Sequence, residues 1–385
     1  HPKEEMVLAS LGYLQFQKGD TDKAQKTLRE AVKNYKSMND VYYQLAFVLA
    51  SSRQPAEAAK VLDEAMNLKG ADGEFYSNLG LLYENLQLWD KAIAAYQKGI
   101  EVDADNQNVR FNLGNVLVSR KQYDEAIEQY TKGMANLPEN ARAAFLINRS
   151  IAYRRANKLE ESIADAEELK KVDPFEPRAY TLIAASKLAQ SGAVADDDPS
   201  LDEKRQKLIQ EAVEVLQEGA ESIPTPNREL LLRLSHMQYT LGYPEQALFN
   251  ARRVSQAYPR DLRTQIFLGT LLISTKQFQE VGRLYLKAMK EIPGASKDPR
   301  VLAGLGYASF QLGQYEDARK LCEQSLKISK VNAMGLLLYR RLMERKIPVD
   351  VDLSGMPASP ILPAGVPEPE IEEFTFDEPV ELGTP

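Results

Sequence analysis

A pattern of small residues returns about every 34 positions between residue 1 and residue 346. Glycine fills one slot of this repeat, and alanine fills another slot twelve positions further on. The glycines are Gly12, Gly80, Gly114, Gly269 and Gly306, and the alanines are Ala24, Ala58, Ala92, Ala126, Ala212, Ala247 and Ala318. A fixed period of this length is typical of a solenoid, in which each unit stacks on its neighbours. Solenoids present long binding surfaces and seldom build catalytic pockets, so the period favours a binding protein over an enzyme.

The stretch from 73 to 106 shows one unit most clearly. In its first half, Tyr76, Leu79 and Tyr83 have the spacing of one face of a helix. In its second half, Ala92 and Tyr96 lie on one face of a second helix. Two amphipathic helices with small residues where they cross predict an antiparallel helix pair.

These motifs resemble the tetratricopeptide repeat (TPR) family. The matching residues are the Leu-Gly pairs ending at Gly80, Gly114, Gly269 and Gly306, the aromatic residues Trp89, Tyr123, Phe278 and Tyr315, and the closing prolines Pro138, Pro174, Pro224, Pro259 and Pro293. The resemblance covers about nine-tenths of the chain. It implies an all-α fold, a right-handed α-solenoid superhelix of about nine TPR helix pairs plus a C-terminal capping helix and a Pro-rich acidic tail.

The repeat divides the chain into a TPR superhelix at 1–346 and a tail at 347–385. We place the units near 5–38, 39–72, 73–106, 107–140, 143–176, 177–227, 228–261, 262–295 and 299–332, with the capping helix at 333–346. The sixth unit has about sixteen extra residues between its helices, including three consecutive aspartates at 196–198, which predict an exposed loop. The tail has eight prolines in 39 residues, and we expect it to be disordered unless it is docked.

Composition narrows the function classes. The net charge of -7 argues against nucleic-acid binding, which needs many basic groups. No apolar run is long enough for membrane insertion within this chain. A single cysteine and two histidines, with no phosphate-binding loop or hydrolase motif, indicate neither an enzyme, nor a metal site, nor a cofactor. The single cysteine favours the cytoplasm, but the missing initiator Met leaves the periplasm or another compartment open.

The resemblance also implies which side chains face a ligand, at positions 2, 5, 9, 12 and 13 of each first helix. In the first two units these positions hold Tyr13, Phe16, Tyr43 and Phe47, and in the ninth they hold Tyr307 and Phe310. Aromatic residues on such a face can hold an extended or helical peptide. The alternative interpretation is that they pack between neighbouring repeats.

Several arginines fall on the same positions. They are Arg154 and Arg155 in the fifth unit and Arg178, Arg263 and Arg300 at the second position of later units. Arginines can hold carboxylates through paired hydrogen bonds, which favours a groove for an acidic segment. The alternative is a solvated face with internal ion pairs. His236, also on a ligand-facing position, is predicted to be a contact residue rather than a catalyst.

Chaperone-binding TPR domains hold a terminal carboxylate in a clamp of Lys, Asn, Asn, Lys and Arg. Here Asn115 and Asn148 match the two asparagine slots and Arg178 matches one basic slot, whereas Phe111 replaces the first lysine and Leu182 the last arginine. Half of the clamp is present, so a co-chaperone role is a lesser alternative.

Our leading hypothesis is a non-enzymatic scaffold that binds a peptide-like or acidic segment of another protein in its concave groove, in keeping with a multiprotein complex. A second hypothesis is an adaptor or regulatory subunit whose acidic tail, with Phe374 and Phe376, binds a partner or docks in its own groove. A third is an enzyme accessory or a fragment of an enzyme.

Overall fold

The computed structural model describes residues 2–34, 39–192, 199–351 and 353. Within these residues the secondary structure is α-helical, with 19 α-helices and two short 3-10 turns at Glu139–Ala141 and Ala295–Lys297, and no strand. The helices fall into two compact units with a boundary between Pro174 and Phe175. The α-solenoid class, with nine helix pairs and one further helix, is confirmed.

The first unit contains five helix pairs. They are α1 Pro2–Gln17 and α2 Thr21–Asn34, α3 Asn39–Ser51 and α4 Pro55–Ala65, α5 Gly73–Asn85 and α6 Trp89–Val102, α7 Gln107–Ser119 and α8 Tyr123–Met134, and α9 Ala143–Arg155 and α10 Leu159–Val172.

The second unit contains four pairs and a final helix. They are α11 Pro177–Gly192 and α12 Pro199–Ser222, α13 Arg228–Thr240 and α14 Pro244–Ala257, α15 Leu262–Ser274 and α16 Phe278–Glu291, α17 Pro299–Gln311 and α18 Tyr315–Ile328, and α19 Ala333–Glu344.

The repeated glycine and alanine slots lie where the two helices of a pair cross. A Cβ atom added at Gly80 would lie 2.4 Å from the Tyr96 ring, and one at Gly114 would lie 2.3 Å from the Tyr130 ring. Because real side chains do not approach so closely, these two positions need glycine. The seven alanines of the second slot are fully buried. The period therefore arises from close helix packing.

A second repeated feature is the turn between the two helices of a pair. In the eight pairs whose connection the structure describes, one turn residue has a positive φ, and these residues are Gly19, Arg53, Gln87, Lys121, Asn157, Gly242, Lys276 and Gly313. The left-handed conformation costs a non-glycine residue about 1–2 kcal/mol, so packing of the flanking helices must offset this cost at five of these turns.

The sixth pair differs from the others in its second helix. α12 has 24 residues, against 11 to 16 in the other helices, including α11 with 16. An ion pair of 2.6 Å between Lys187 and Glu211 links α11 with α12. The predicted loop with its three aspartates lies mainly at 193–198, outside the described residues.

The final helix α19 packs against α17 and α18. Its apolar side chains Leu337, Leu338 and Leu342 are fully buried, and the Asn332 side chain caps its first turn by accepting a hydrogen bond from the Gly335 amide. Beyond it, the backbone amide of Asp350 donates to a carboxylate oxygen of Glu323 on α18 over 3.0 Å. Residues 354–385, with Phe374 and Phe376, lie outside the described residues.

Candidate interaction surface

A row of partly exposed side chains follows the 34-residue period along the first helices of the first four pairs. It consists of Tyr13 on α1, Phe47 on α3, Leu81 on α5 and Asn115 on α7, each at the ninth position of its unit. Tyr13 and Leu81 are each 40% exposed, and Phe47 and Asn115 are half-buried. The row is apolar over three helix pairs and ends on an amide. We call these four residues the ninth-position row.

Two aromatic ring contacts lie beside the row, one between α1 and α3 and one within α3. The Phe16 and Phe47 rings meet edge to face with centroids 5.9 Å apart, and Tyr43 stacks on Phe47 at 6.4 Å. Burial raises the pKa of Tyr43, and the neighbouring Tyr13 raises it further. The structure thus brings together the four aromatic residues predicted in the first two repeats, 5–38 and 39–72. We call Tyr13, Phe16, Tyr43 and Phe47 the aromatic surface.

The amide end of the row is fixed by internal hydrogen bonds. The Oδ1 atom of Asn115 accepts from the Tyr130 hydroxyl at 2.7 Å and from the Asn148 amide at 2.8 Å. Asn148 itself is buried. In the hydrogen bonds of the described residues the Asn115 side chain takes part as an acceptor, through Oδ1, and its Nδ2 group carries two further donors.

Arg154 and Arg155 end helix α9 and are half-buried. Burial raises the pKa of the Tyr130 hydroxyl, and the hydrogen bond with the Asn148 side chain and the positive charge of Arg155 oppose this rise. The polar end of the row therefore has a positive charge in its vicinity.

Models of the tetratricopeptide repeat match residues 10–74, 73–106, 111–177 and 300–331, together about half of the 385 residues. The chain belongs to the tetratricopeptide repeat family.

Several solved structures resemble the chain at low identity. The C-terminal part of a TPR repeat-containing protein from Cytophaga hutchinsonii is 12% identical and covers 66% of this chain and 97% of its own, with a TM-score of 0.47. YrrB, a TPR protein with an unusual peptide-binding site, is 18% identical and covers 47% and 90%, with a TM-score of 0.38. Human IFIT1, in a dimer with m7Gppp-AAAA, is 16% identical and covers 84% and 90%, also at 0.38.

These likenesses are too distant to carry an argument about ligands. No curated protein matches the sequence significantly. The expected absence of nucleic-acid binding rests on the net charge alone and stays a prediction. Among the described residues, no helix has the length and apolar content needed to cross a membrane.

Phe111 was expected on the ligand-facing side of the TPR groove, in the slot of the first clamp lysine, but it has no exposed surface. Its ring packs against Phe145 at 4.9 Å and against Tyr130 at 5.9 Å. Phe111 is therefore a core residue and is not available to a partner. Asn115 and Asn148 do lie together, as the clamp slots imply, but they are hydrogen-bonded to each other.

The two aromatic residues of the ninth repeat, Tyr307 and Phe310, are also buried. Tyr307 is 6% exposed and packs against Phe278 at 6.3 Å. Phe310 is 8% exposed, packs against Tyr315 at 5.5 Å and lies under the Arg345 guanidinium. For this pair the structure favours packing within the solenoid over ligand contact.

The remaining predicted residues lie in the second unit. Arg178 and Arg263 are exposed, and His236 is half-buried on α13. The Arg300 side chain is held by the Asp298 carboxylate, with its Nη2 atom at 2.9 Å, and Arg300 lowers the pKa of Asp298 although burial opposes this. Their role as partner contacts stays a prediction.

Two features were missed from the sequence, one apolar and one polar. Leu81 joins the ninth-position row, and its position 34 residues after Phe47 could have revealed it. Arg149 forms a double hydrogen bond with Asp165 at 2.8 and 2.7 Å. Burial raises the pKa of Asp165 and the Arg149 hydrogen bonds oppose this rise. This pair is internal, so it fixes α9 against α10 rather than contacting a partner.

The single cysteine is a core residue. Cys322 is fully buried on α18, and burial raises the pKa of its thiol to about 12. A thiol with such a pKa is almost entirely protonated near neutral pH, and the protonated form is a poor nucleophile and metal ligand. The described residues contain no group of three His, Cys, Asp or Glu side chains placed to hold a metal ion.

Proposed function

We propose that the protein is a non-enzymatic TPR scaffold whose first unit binds a peptide segment of another protein along the ninth-position row. TPR family membership supports the general role of a protein-interaction scaffold. The observation that carries the specific proposal is the ninth-position row itself, which is apolar and partly exposed on three successive helix pairs and ends on the side-chain amide of Asn115.

The apolar part would supply most of the affinity. Tyr13 and Leu81 keep 40% of their surface in water, and covering them with a peptide removes apolar area from solvent. Each well-covered apolar side chain contributes about 1.5–3 kcal/mol. The edge-to-face contact of Phe16 with Phe47 holds these rings in place before binding, so little side-chain ordering is needed.

The polar part would supply direction and specificity. A carbonyl or carboxylate oxygen of the peptide can accept from the Nδ2 group of Asn115, and the Arg155 charge favours the carboxylate. A hydrogen bond to a charged group contributes about 1.5–3 kcal/mol. The expected ligand therefore has two or three apolar side chains followed by an acidic residue or a chain terminus.

A peptide-display selection on the full chain tests this proposal. Random twelve-residue peptides are selected, and the affinity of the strongest binder is measured by fluorescence anisotropy for the wild type and two variants. Phe47→Ala should weaken binding about tenfold or more, because a ring at the centre of the surface is lost. Phe249→Ala is the matched control, since Phe249 is a 62% exposed aromatic residue on α14, and it should leave affinity unchanged.

Three results would contradict the proposal. One is a selection that enriches no peptide. Another is an enriched peptide whose affinity survives Phe47→Ala. The third is an equal loss of affinity in both variants. Far-UV circular dichroism of each variant checks that helicity is retained, so that a loss of affinity can be assigned to the surface.

A further inference from the structure

Charge is segregated along the chain in three blocks. Residues 1–227 have a net charge of -8, residues 228–346 have 20 basic and 10 acidic side chains for a net of +10, and residues 347–385 have nine acidic side chains and no basic one. The net charge of the whole chain, -7, does not reveal this pattern. The most basic block lies directly before the most acidic one.

The basic block exposes a stripe on helix α16. Arg283, Leu286, Lys287 and Lys290 have the spacing of one helix face, and all four are exposed, with Leu286 at 59%. The acidic side chain next to the stripe, Glu291, lies 4.0 Å from Lys287, and the other acidic residue of the helix, Glu280, is bound by Arg252 of α14. The stripe therefore keeps a net positive charge. We call these four residues the α16 stripe.

A cleft of mixed polarity lies beside the stripe, among α14, α15 and α16. Its volume is about 280 Å³, and Pro259, Leu284 and Ala288 form its apolar part; Ser255, Gln256, Gln265, Lys287 and Glu291 also line it. A surface with basic side chains, an exposed leucine and an adjoining cleft with apolar walls fits an acidic segment that contains aromatic residues.

The C-terminal tail contains such a segment. Residues 370–378 read EIEEFTFDE, with five carboxylates around Phe374 and Phe376. The described part of the tail begins on the second unit, where the Asp350 amide contacts Glu323 of α18. Sixteen residues separate Leu353 from Glu370, and such a stretch reaches up to about 55 Å when extended.

We propose that the tail segment 370–378 binds the α16 stripe of its own chain, with its carboxylates on Arg283, Lys287 and Lys290 and a phenylalanine ring in the cleft. The tether gives the tail an effective concentration in the millimolar range, so weak exposed ion pairs are sufficient for docking. An acidic, phenylalanine-bearing segment of another protein would have to displace the tail. This surface lies in the second unit and is independent of the ninth-position row.

Carbodiimide cross-linking of the full chain tests the proposal. The reagent joins a carboxylate to a lysine amine in direct contact, and mass spectrometry identifies the two residues. An equal mixture of light and nitrogen-15-labelled protein separates contacts within one chain from contacts between two chains. We expect same-isotope cross-links from 370–378 to Lys287 and Lys290, and at least fivefold fewer to Lys26 and Lys60, exposed lysines on α2 and α4 of the first unit.

A second set of measurements follows the cross-link yield as the salt concentration and the charge of the α16 stripe are changed. Raising the salt from about 20 mM to about 500 mM should lower the cross-link yield severalfold, because exposed charges are screened. In Arg283→Gln with Lys290→Gln, the remaining cross-link to Lys287 should fall about threefold or more, as two exposed ion pairs are lost. Lys26→Gln with Lys60→Gln is the matched control and should leave the yield unchanged.

Each of the following outcomes would overturn the proposal. The tail forms no cross-link at low salt, or it reacts equally with lysines of both units. Mixed-isotope products dominate, which would place the tail on a second copy. The yield to Lys287 is the same in the α16 variant as in the wild type. None of these outcomes bears on peptide binding by the first unit.

Discussion

Tyr13 and Phe16 on α1 occupy the same two slots of the repeat as Tyr307 and Phe310 on α17, the ninth and twelfth positions of their units. Tyr13 is 40% exposed and Phe16 half-buried, whereas Tyr307 and Phe310 are buried. The same residue types in the same slots therefore form a surface in the first unit and a core in the second.

The difference in exposure comes from the neighbouring residues and not from the position in the repeat. Tyr307 is covered by Phe278 of the preceding pair, and Phe310 is covered by Tyr315 and by Arg345, which follows α19. In the first unit, α1 and α3 pack their aromatic residues against each other and leave one side in water. A ligand-facing position in a TPR family pattern thus identifies a candidate, and the adjoining helices decide whether a partner can reach it.

The largest expected effect is on stability, and it distinguishes the two tyrosines. Tyr307→Ala should lower the free energy of unfolding by about 3 kcal/mol, since it removes a buried ring and leaves a cavity. Tyr13→Ala, at the matched position, should cost less than about 1 kcal/mol. Urea unfolding of the full chain and hydrogen exchange of the α17 amides measure both. Equal losses would contradict the distinction between core and surface.

A second prediction concerns the polar end of the ninth-position row. In Asn115→Asp the side-chain oxygen that accepts from Tyr130 and Asn148 is kept, while the Nδ2 donor is replaced by a second, negatively charged oxygen. Affinity for an acidic display-selected peptide should fall about tenfold, because a charge-assisted hydrogen bond becomes a repulsion.

The control for this variant is an amidated form of the same peptide with its acidic residues replaced by glutamine. Its affinity should change much less than that of the acidic peptide. If both peptides lose affinity equally, Asn115 supports the surface structurally and does not read the carboxylate.

The smallest expected effect concerns the cover over Phe310. The Arg345 guanidinium lies 5.5 Å from the Phe310 ring centroid and 5.0 Å from the Tyr315 ring centroid, and it donates to the Tyr315 hydroxyl at 2.7 Å. Arg345→Ala should cost about 1 kcal/mol, because cation–π contacts of exposed groups are modest. Arg345→Lys should recover part of this loss. Thermal unfolding of the two variants measures the difference, and equal melting temperatures for wild type and Arg345→Ala would show that Phe310 does not depend on this cover.

Much of the fold follows from the sequence because the helices of a TPR array are local and periodic. Helices begin at Asn39, Gly73, Gln107, Ala143 and at the start of each later unit, where the repeat predicts them. Gly80 and Gly114 mark close helix crossings that no other residue type allows. The period also predicts which face of a helix a side chain occupies.

The exposure of a side chain could not be predicted in the same way. Phe111 and Leu81 both lie on the ligand-facing side of the pattern, yet the first is buried by Phe145 and the second is exposed. This outcome depends on the size and position of side chains one repeat away. The hydrogen bonds that fix Asn115 likewise join three helices, and no single unit of the sequence contains them.

Hydroxyl-radical footprinting of the full chain, free and saturated with a display-selected peptide, tests the central claim most directly. In the free protein, Tyr13 and Phe47 should be modified several times faster than Tyr307 and Phe310, because reaction follows exposure. The peptide should protect Tyr13 and Phe47 and leave the rates of Tyr307 and Phe310 unchanged. Rapid modification of Tyr307 and Phe310 in the free chain, or protection of these two residues in place of the first pair, would contradict the account.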